Sequence, residues 1–305
     1  MSRTYAWILL VCLMAQTAGC DRSAREPQTR RAFGQQEILI GLIPEQNIFR
    51  QRERYQVLKR YLSDKLGVTV TFTSLSRYGN IIERFQKEKM DGAFFGSFTG
   101  ALAIHELGVE PLARPVNLDG TSTYHGYIFV RKNSGIRSAR DMRGKRFAFV
   151  ERATTAGYLF PLAFFKNNGI ADYRTYLGET YFAGSHDASI MAVLNGETDI
   201  GAAKNTIYDQ MARENPRIEQ ELVILASSKT VPQNGLAVRK DLDPELKRAL
   251  KQVLLNMDKD PEGMETLRQF GARAFIETTP GDYAYVSTLA SEIGIDLKNY
   301  RYRNE

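Results

Sequence analysis

The chain has few of the residues on which most enzyme sites depend. Of its 305 residues, two are cysteine and three are histidine. Both cysteines, Cys12 and Cys20, lie near the N-terminus, so the rest of the chain has no disulfide, no cysteine nucleophile and no cysteine-based metal site. Gly-x-Ser-x-Gly and His-Glu-x-x-His motifs are also absent. Because three scattered histidines rarely form a catalytic triad or a zinc site, a hydrolase is disfavoured.

The apolar run near the N-terminus is too short to cross a bilayer as a helix. It spans Ala6–Ala15, follows the positive residue Arg3 and precedes the small residues 17–19, which is the pattern of a signal peptide. The Gly-Cys pair that ends at Cys20 resembles the bacterial lipoprotein signal, in which the cysteine is acylated. We therefore expect residues 1–19 to be removed and Cys20 to anchor the protein on the periplasmic side of the cell membrane. A simple secretory peptide is the alternative.

Positive charge is in modest excess and is spread along the chain. The formal net charge is +6 and includes Arg3, so removal of the signal leaves about +5. Residues 20–36 are polar and rich in arginine, which is typical of a flexible tether beside acidic lipid. Runs of Lys and Arg interleaved with aromatic residues are absent, so no nucleic-acid partner is expected. The charge is compatible with a small anionic ligand.

From residue 37 onward, patterns typical of strands and helices alternate. Apolar runs such as 37–43 and 91–96 predict buried strands, and Leu58, Leu62 and Leu66 recur at helical spacing. This alternation is typical of a mixed, mostly parallel sheet with helices on both faces. About 270 residues follow the tether, enough for two lobes that each bury a core. The predicted fold class is therefore α/β with two lobes.

One junction between a predicted strand and a predicted helix has the composition of an anion site. In residues 151–158 (ERATTAGY), Thr154, Thr155, Ala156 and Gly157 lie where a helix begins. The first N–H groups of a helix have no intrahelical acceptor, and the positive end of the helix dipole attracts anions. A phosphate-like group is therefore a candidate ligand, although an ordinary threonine N-cap gives the same pattern.

Further segments occur in the order found in one protein family. These segments are DGAFFG (91–96), EPLA (110–113), IRSARDMRGK (136–145), TTAG (154–157), GSHD (184–187) and GETDIGA (196–202). With them the chain resembles, from about Ile38 to Phe275, the phosphate, phosphite and phosphonate substrate-binding proteins of ABC importers. The resemblance implies the two-lobed periplasmic-binding-protein fold with an interlobe cleft. Lobe 1 would comprise 37–124 and 236–305, and lobe 2 would comprise 125–235.

The resemblance also implies which residues contact the ligand. Thr154, Thr155 and Ala156 match the helix-N-terminal triplet that holds the oxyanion, and His186 matches a histidine that donates to an anion oxygen. A protonated His186 would help to neutralise the anion, as would Lys204 if it faces the cleft. The other candidates are polar residues at chain crossings, strand ends or the pocket wall: Tyr78, Ser97, Thr99, Tyr124, Thr206 and Asn234. No metal ion or cofactor is expected.

Two positions bear on the identity of the ligand. Family members that bind aminoalkylphosphonates provide acidic groups for the ammonium, whereas the corresponding Thr206 and Asn234 are uncharged. A buried ammonium without a carboxylate is costly, so 2-aminoethylphosphonate is disfavoured. Asp199, at a strand end, is interpreted as structural, with acceptance of a proton from the anion as the alternative. Phosphate, phosphite, a simple phosphonate or a sulfonate remain open.

Two biological roles are compatible with such a site. We expect a monomeric binding lipoprotein that captures a small phosphorus oxyanion and passes it to an ABC permease in the membrane. The alternative is a sensory lipoprotein of the same fold that signals the ligand to a membrane kinase or cyclase.

Overall fold

The computed structural model describes residues 33, 36–78 and 81–300. The predicted signal peptide, the lipidation site Cys20 and most of the predicted tether lie outside these residues. Within the described part, two main β-sheets and their flanking helices form the framework. The α/β fold class is confirmed.

Six strands form the first sheet: β1 (Glu37–Leu42), β2 (Thr69–Ser74), β3 (Gly92–Phe95), β4 (Glu110–Asn117), β12 (Gly235–Val238) and β13 (Ala272–Glu277). Their order is β13-β4-β12-β3-β1-β2. β1 runs parallel to β2 and β3, whereas β12 runs antiparallel to β3 and β4. β13 is antiparallel to β4. The sheet is thus built from an N-terminal block of strands and two strands that return late in the chain.

Five strands form the second sheet: β6 (Gly126–Arg131), β7 (Arg146–Phe149), β8 (Glu179–Phe182), β9 (Ile200–Lys204) and β10 (Leu222–Ser227). Their order is β10-β6-β9-β7-β8. β7 is parallel to β8 and β9, and β6 is antiparallel to β9 and β10. In the sequence, all five strands of this sheet follow β4 and precede β12 of the first sheet.

A short ribbon marks the two places where the chain passes between the sheets. Its strands are β5 (Thr123–Tyr124) and β11 (Val231–Pro232), and they pair antiparallel with Val231 opposite Tyr124. The first strand after each crossing, β6 or β12, begins at the edge where neighbouring strands end, so it must run antiparallel to them. The sheets therefore contain more antiparallel pairs than the alternation of strands and helices predicts.

Eleven α-helices are described: α1 (Ile48–Leu66), α2 (Ile81–Lys87), α3 (Ser97–Leu107), α4 (Phe160–Asn167), α5 (Tyr173–Tyr176), α6 (His186–Leu194), α7 (Asn205–Glu214), α8 (Arg217–Glu221), α9 (Pro244–Leu255), α10 (Pro261–Phe270) and α11 (Ala284–Glu292). In α1, the Asn47 side chain accepts from Phe49 N–H at the start, and Gly67 ends the helix in the left-handed conformation (φ 68°). Its buried face includes Leu58, Leu62 and Leu66, as their spacing predicts.

The core has three parts. One cluster fills one face of the first sheet under α1, α9 and α10. A second covers one face of the second sheet under α6, α7 and α8. The third and largest joins the lobes, because it includes side chains of α2, α3 and α11 as well as strands β6 and β7. None of the described helices is long and apolar enough to cross a membrane.

Candidate functional site

Most of the predicted ligand residues lie around one cavity between the lobes. Seven of the ten line it: Tyr78, Ser97, Tyr124, Thr154, Thr155, His186 and Asn234. Two ionisable residues, Glu45 and Lys204, line it with them. The cavity has a volume of about 10 Å³, room for roughly one water molecule. The arrangement is therefore a closed one, and a larger anion enters only when the walls separate.

Contacts between the lobes surround the cavity. The N–H of Asn47, at the start of α1, donates to the Asp187 carboxylate of α6 at 3.1 Å. On the outer rim, Arg50 and Glu214 form an exposed salt bridge at 2.6 Å. These contacts join residues far apart in the sequence, and both break if the lobes separate.

The chain topology explains why these residues meet. Parallel strands β1, β3, β7 and β9 all end at the interlobe edge, and binding sites in open α/β sheets form beyond the carboxyl ends of strands. Glu45 follows β1, Ser97 follows β3, Thr154 follows β7 and Lys204 ends β9. Asn234 lies just before β12, at the second crossing.

The predicted anion turn has an unusual geometry. Residues Thr155–Leu159 form a π-helical turn ahead of α4, with Leu159 N–H donating to Thr154 O at 3.1 Å. Thr154 is not an ordinary N-cap, because its hydroxyl donates to Glu151 O at 2.6 Å. Within the described part of the chain, the N–H groups of Thr155, Ala156 and Gly157 have no acceptor. Such turns recur at functional sites, and this one presents several donors together.

Two buried hydroxyl groups at the cavity also lack a partner. Neither Tyr78 OH nor Thr155 Oγ1 hydrogen-bonds to any described residue, although buried polar groups are nearly always bonded. Burial raises the pKa of Tyr78 well above its ordinary value and that of Tyr124 to about 12. These phenols are therefore protonated at neutral pH and able to donate. A ligand with acceptor oxygens satisfies such groups.

His186 is the first residue of α6 and is buried against the cavity. Its Nδ1 accepts the backbone N–H of Lys204 at 3.2 Å, so the neutral ring carries its proton on Nε2. Burial lowers the pKa of His186 to about 4. The nearby Glu45 carboxylate would raise this pKa, but the Lys204 charge lowers it and so offsets part of the effect of Glu45. The predicted neutralisation of the anion by a protonated His186 is therefore not supported. The neutral ring remains a donor.

A buried ion pair joins the lobes inside the cavity. Lys204 Nζ lies 2.7 Å from Glu45 Oε1 and 3.3 Å from Asn234 Oδ1, and it sits 4.3 Å above the Tyr124 ring. Burial is the largest single effect on the pKa of Glu45 and raises it, but the charge and hydrogen bond of Lys204, together with the Arg54 charge, leave that pKa below its ordinary value. Burial lowers the pKa of Lys204, and Glu45 offsets part of that effect. The pair is ionised, and its two charges cancel.

Three of the predicted ligand residues are not among those that line the cavity. Thr99 is buried below it and its hydroxyl donates to Gly96 O at 3.2 Å. Ala156 is buried and packs closely against Gly126, since a Cβ added to Gly126 would lie 3.0 Å from Ala156 Cα. Ala156 can therefore contact a ligand only through its backbone N–H. Thr206 lies on α7, outside the lining.

Asp199 and the two other histidines also lie away from the cavity. Asp199 accepts three hydrogen bonds from Arg146, one from the backbone N–H at 2.9 Å and two from the guanidinium at 3.3 Å, which supports its structural interpretation. His105 is exposed on α3. His125 stacks on Tyr127 at 5.6 Å. Neither histidine lines the cavity.

Sequence reasoning missed Glu45 and left the orientation of Lys204 open. Glu45 follows a proline at the end of a strand, where an acidic residue is usually exposed. A signal did exist for Lys204, since it ends a strand in which the four preceding residues are apolar. No local pattern shows that the two side chains meet, because they are 159 positions apart.

Comparison with known proteins identifies the family. The model of the periplasmic substrate-binding proteins of phosphonate ABC transporters matches residues 40–283. The chain belongs to this family. Its resemblance to these proteins is thereby confirmed, and members of the family bind solutes for import. The comparisons give no support to the sensory alternative.

Individual relatives agree with this assignment. The chain is 28% identical over 253 residues to the phosphate-import protein PhnD of Mycolicibacterium smegmatis, covering 79% of this chain and 78% of the relative. It is 26% identical over 259 residues to the phosphonates-binding periplasmic protein of Escherichia coli, covering 83% and 73%. The structure of PhnD1 from Prochlorococcus marinus in complex with methylphosphonate is similar with a TM-score of 0.75 and 23% identity, covering 85% of this chain and 98% of that one. This last likeness confirms the two-lobed fold.

Proposed function

We propose that this protein captures a small phosphorus oxyanion in the interlobe cavity and delivers it to an ABC permease. The ligand is phosphate, phosphite or a simple phosphonate. The observation that carries the proposal is a set of donors without acceptors: Tyr78 OH and Thr155 Oγ1 in the cavity wall, and the N–H groups at the start of the π-helical turn that Thr155 begins. The names of the relatives, which bind phosphate or phosphonates, point to the same class of ligand.

Each part of the wall has a role in this proposal. The N–H groups of residues 155–157 and the Thr155 hydroxyl bind one side of the anion, with the positive helix terminus behind them. His186 Nε2–H and Tyr78 OH donate hydrogen bonds to the anion from other parts of the cavity wall. Lys204 lies close to Asn234 and Tyr124, and Glu45 balances its charge. Donors of this kind form charge-assisted hydrogen bonds, which are stronger than bonds between neutral groups.

The size of the ligand limits its affinity. Phosphate or methylphosphonate has about five heavy atoms, and about 1.5 kcal/mol per atom is the ceiling for the best small ligands. That gives about 7 kcal/mol, roughly micromolar. Tighter binding depends on charge-assisted bonds in a dry cavity that has closed around the anion.

The cavity also bears on ligands with an ammonium group. Thr206 and Asn234 are uncharged, but a carboxylate is nevertheless present, because Glu45 lines the cavity. One carboxylate oxygen is paired with Lys204 at 2.7 Å, so an ammonium at the other oxygen would lie beside a buried lysine charge. Uncompensated buried charge is costly. We therefore still place 2-aminoethylphosphonate outside the ligand range.

The setting of the protein is part of the proposal. The family is periplasmic and serves importers, which implies a permease in the membrane as the partner. We propose that acylated Cys20 anchors the chain, that residues 21–36 act as the tether, and that the protein acts as a monomer. The lobes, at the limits predicted from the sequence, open to admit the ligand and close on it again by bending at the β5–β11 ribbon. Catalysis is not part of this proposal.

Calorimetry on the mature protein tests the ligand class. The panel contains phosphate, phosphite, methylphosphonate, 2-aminoethylphosphonate and sulfate. We expect binding of at least one of the first three, and Tyr78→Phe should weaken it by about 10- to 150-fold, since one hydrogen bond to a charged group contributes about 1.5–3 kcal/mol. Tyr285→Phe, at a half-buried tyrosine outside the cavity, is the matched control. Absence of binding to all phosphorus oxyanions by folded protein would overturn the proposal.

A further inference from the structure

A carboxylate is an unexpected wall for a cavity that binds anions. Glu45 is 9% exposed and lines the cavity beside the proposed donors. An ionised carboxylate only accepts hydrogen bonds. Oε1 is bonded to Lys204, whereas Oε2 has no donor among the described residues. The acceptor capacity of Glu45 is therefore only partly used.

The surroundings of Glu45 keep it charged near neutral pH. The ionisable groups that face it come from several elements: Arg54 and Tyr55 of α1, Tyr78, Tyr124, His186 of α6 and Lys204 of β9. Burial opposes ionisation, but the charge and hydrogen bond of Lys204, together with the Arg54 charge, leave the pKa of Glu45 below its ordinary value. The tyrosines stay neutral, since burial raises the pKa of each. His186 is neutral as well, with a pKa lowered to about 4.

These charges set a limit on the ligand. Glu45 and Lys204 cancel, so the cavity itself has no net charge to balance a dianion. A second negative charge on the ligand would lie next to the Glu45 carboxylate in a dry site, where repulsion is strong. A monoanion that retains a P–O–H group has one negative charge fewer than the dianion. Its hydroxyl can donate a hydrogen bond to the Glu45 carboxylate oxygen that has no other donor.

We infer that the cavity selects the singly protonated, monoanionic form of its phosphorus oxyanion, with Glu45 accepting the hydrogen bond from the P–O–H group. This inference rests on the proposed function and makes Glu45 a specificity-determining residue. It also predicts that the site rejects sulfate. A helix terminus recognises charge more than element, but sulfate is fully ionised near neutral pH and has no proton to donate to Glu45.

The inference predicts a characteristic pH dependence. If the monoanion alone binds, the apparent dissociation constant rises about tenfold for each pH unit above the second ionisation of the ligand. The pH at which the affinity begins to fall should differ between the ligands, because phosphite and methylphosphonate lose their second proton at different pH values. Loss of charge from Lys204 would also weaken binding at high pH, but its midpoint would be the same for every ligand.

Calorimetry measures both the affinity and the number of protons taken up on binding. Phosphite and methylphosphonate are titrated from about pH 6 to about pH 9, in buffers of different ionisation enthalpy. Above the second ionisation of each ligand, binding to the natural protein should take up about one proton. Glu45→Gln should flatten the profile, abolish proton uptake and gain affinity for sulfate of at least tenfold, because Lys204 is then uncompensated. Glu53→Gln, at an exposed glutamate of α1, should behave like the natural protein.

The outcomes are distinguishable. Binding of both ligands with a flat pH profile, or with one midpoint common to both, overturns the inference and leaves the proposed function standing. No binding of either ligand at any pH overturns the proposed function itself. If Glu45→Gln does not fold, as its melting curve will show, the midpoints and proton uptake of the natural protein decide the matter alone.

Discussion

Replacement of His186 by asparagine should change how the stability of this protein depends on pH. In the native structure His186 Nδ1 accepts the Lys204 N–H at 3.2 Å, and burial lowers the pKa of the ring to about 4. Asparagine Oδ1 can take the place of Nδ1 as the acceptor. The variant therefore keeps this local hydrogen bond and removes only the titration and the Nε2–H donor.

The sign of the effect follows from proton binding. Between pH ~6.5 and ~4 the unfolded chain binds a proton at this histidine and the native protein does not, so native stability falls as the pH falls. The loss is about 1.4 kcal/mol for each pH unit in this window and roughly 3 kcal/mol at its lower end. The asparagine variant lacks this contribution, so its stability relative to the natural protein should improve steadily below pH ~6.5.

Urea denaturation of the ligand-free protein at several pH values between ~7.5 and ~4.5 measures the effect. His105→Asn, at an exposed histidine of α3, is the control and should follow the natural protein. Parallel stability curves for the natural protein and His186→Asn across the window would refute the reasoning, because His186 would then titrate as it does in the unfolded chain. At neutral pH the same variant should bind the oxyanion about 10- to 150-fold more weakly, since it loses one donor.

Three further predictions concern packing, closure and anchoring. Gly157→Ala should destabilise the protein by about 1–3 kcal/mol in urea denaturation, because the new Cβ would lie 2.4 Å from Val150 Cβ; unchanged stability would contradict this packing. Glu214→Gln removes the exposed salt bridge to Arg50 and should change ligand affinity by less than about fivefold by calorimetry, because such pairs contribute about 0–1 kcal/mol. A larger change would make this pair a main determinant of closure. Cys20→Ala should move the protein from the membrane fraction to the soluble periplasmic or culture fraction, and continued retention would exclude the lipid anchor.

Part of the site was predictable because it depends on local sequence. Hydroxyl residues and glycine between a strand and a helix predict a turn with free N–H groups, and the turn after β7 has them. The geometry of that turn was not predictable. Threonine N-caps and π-helical turns begin with the same residue types, and the packing of Gly157 against Val150 is a tertiary contact. The orphaned Thr155 hydroxyl is visible only once the surrounding lobes are in place.

The helices, the strands and the general position of the site follow from local sequence patterns. Helical spacing in α1 and apolar runs such as β1 encode buried faces locally, and strand ends with polar residues mark the edge where ligands bind. The tertiary structure alone decided the electrostatics of the cavity. Glu45 and Lys204 meet only when the lobes close, and the pKa of His186 falls only because closure removes water from the ring. Desolvation and charge pairing depend on distances in space, which a one-dimensional pattern does not contain.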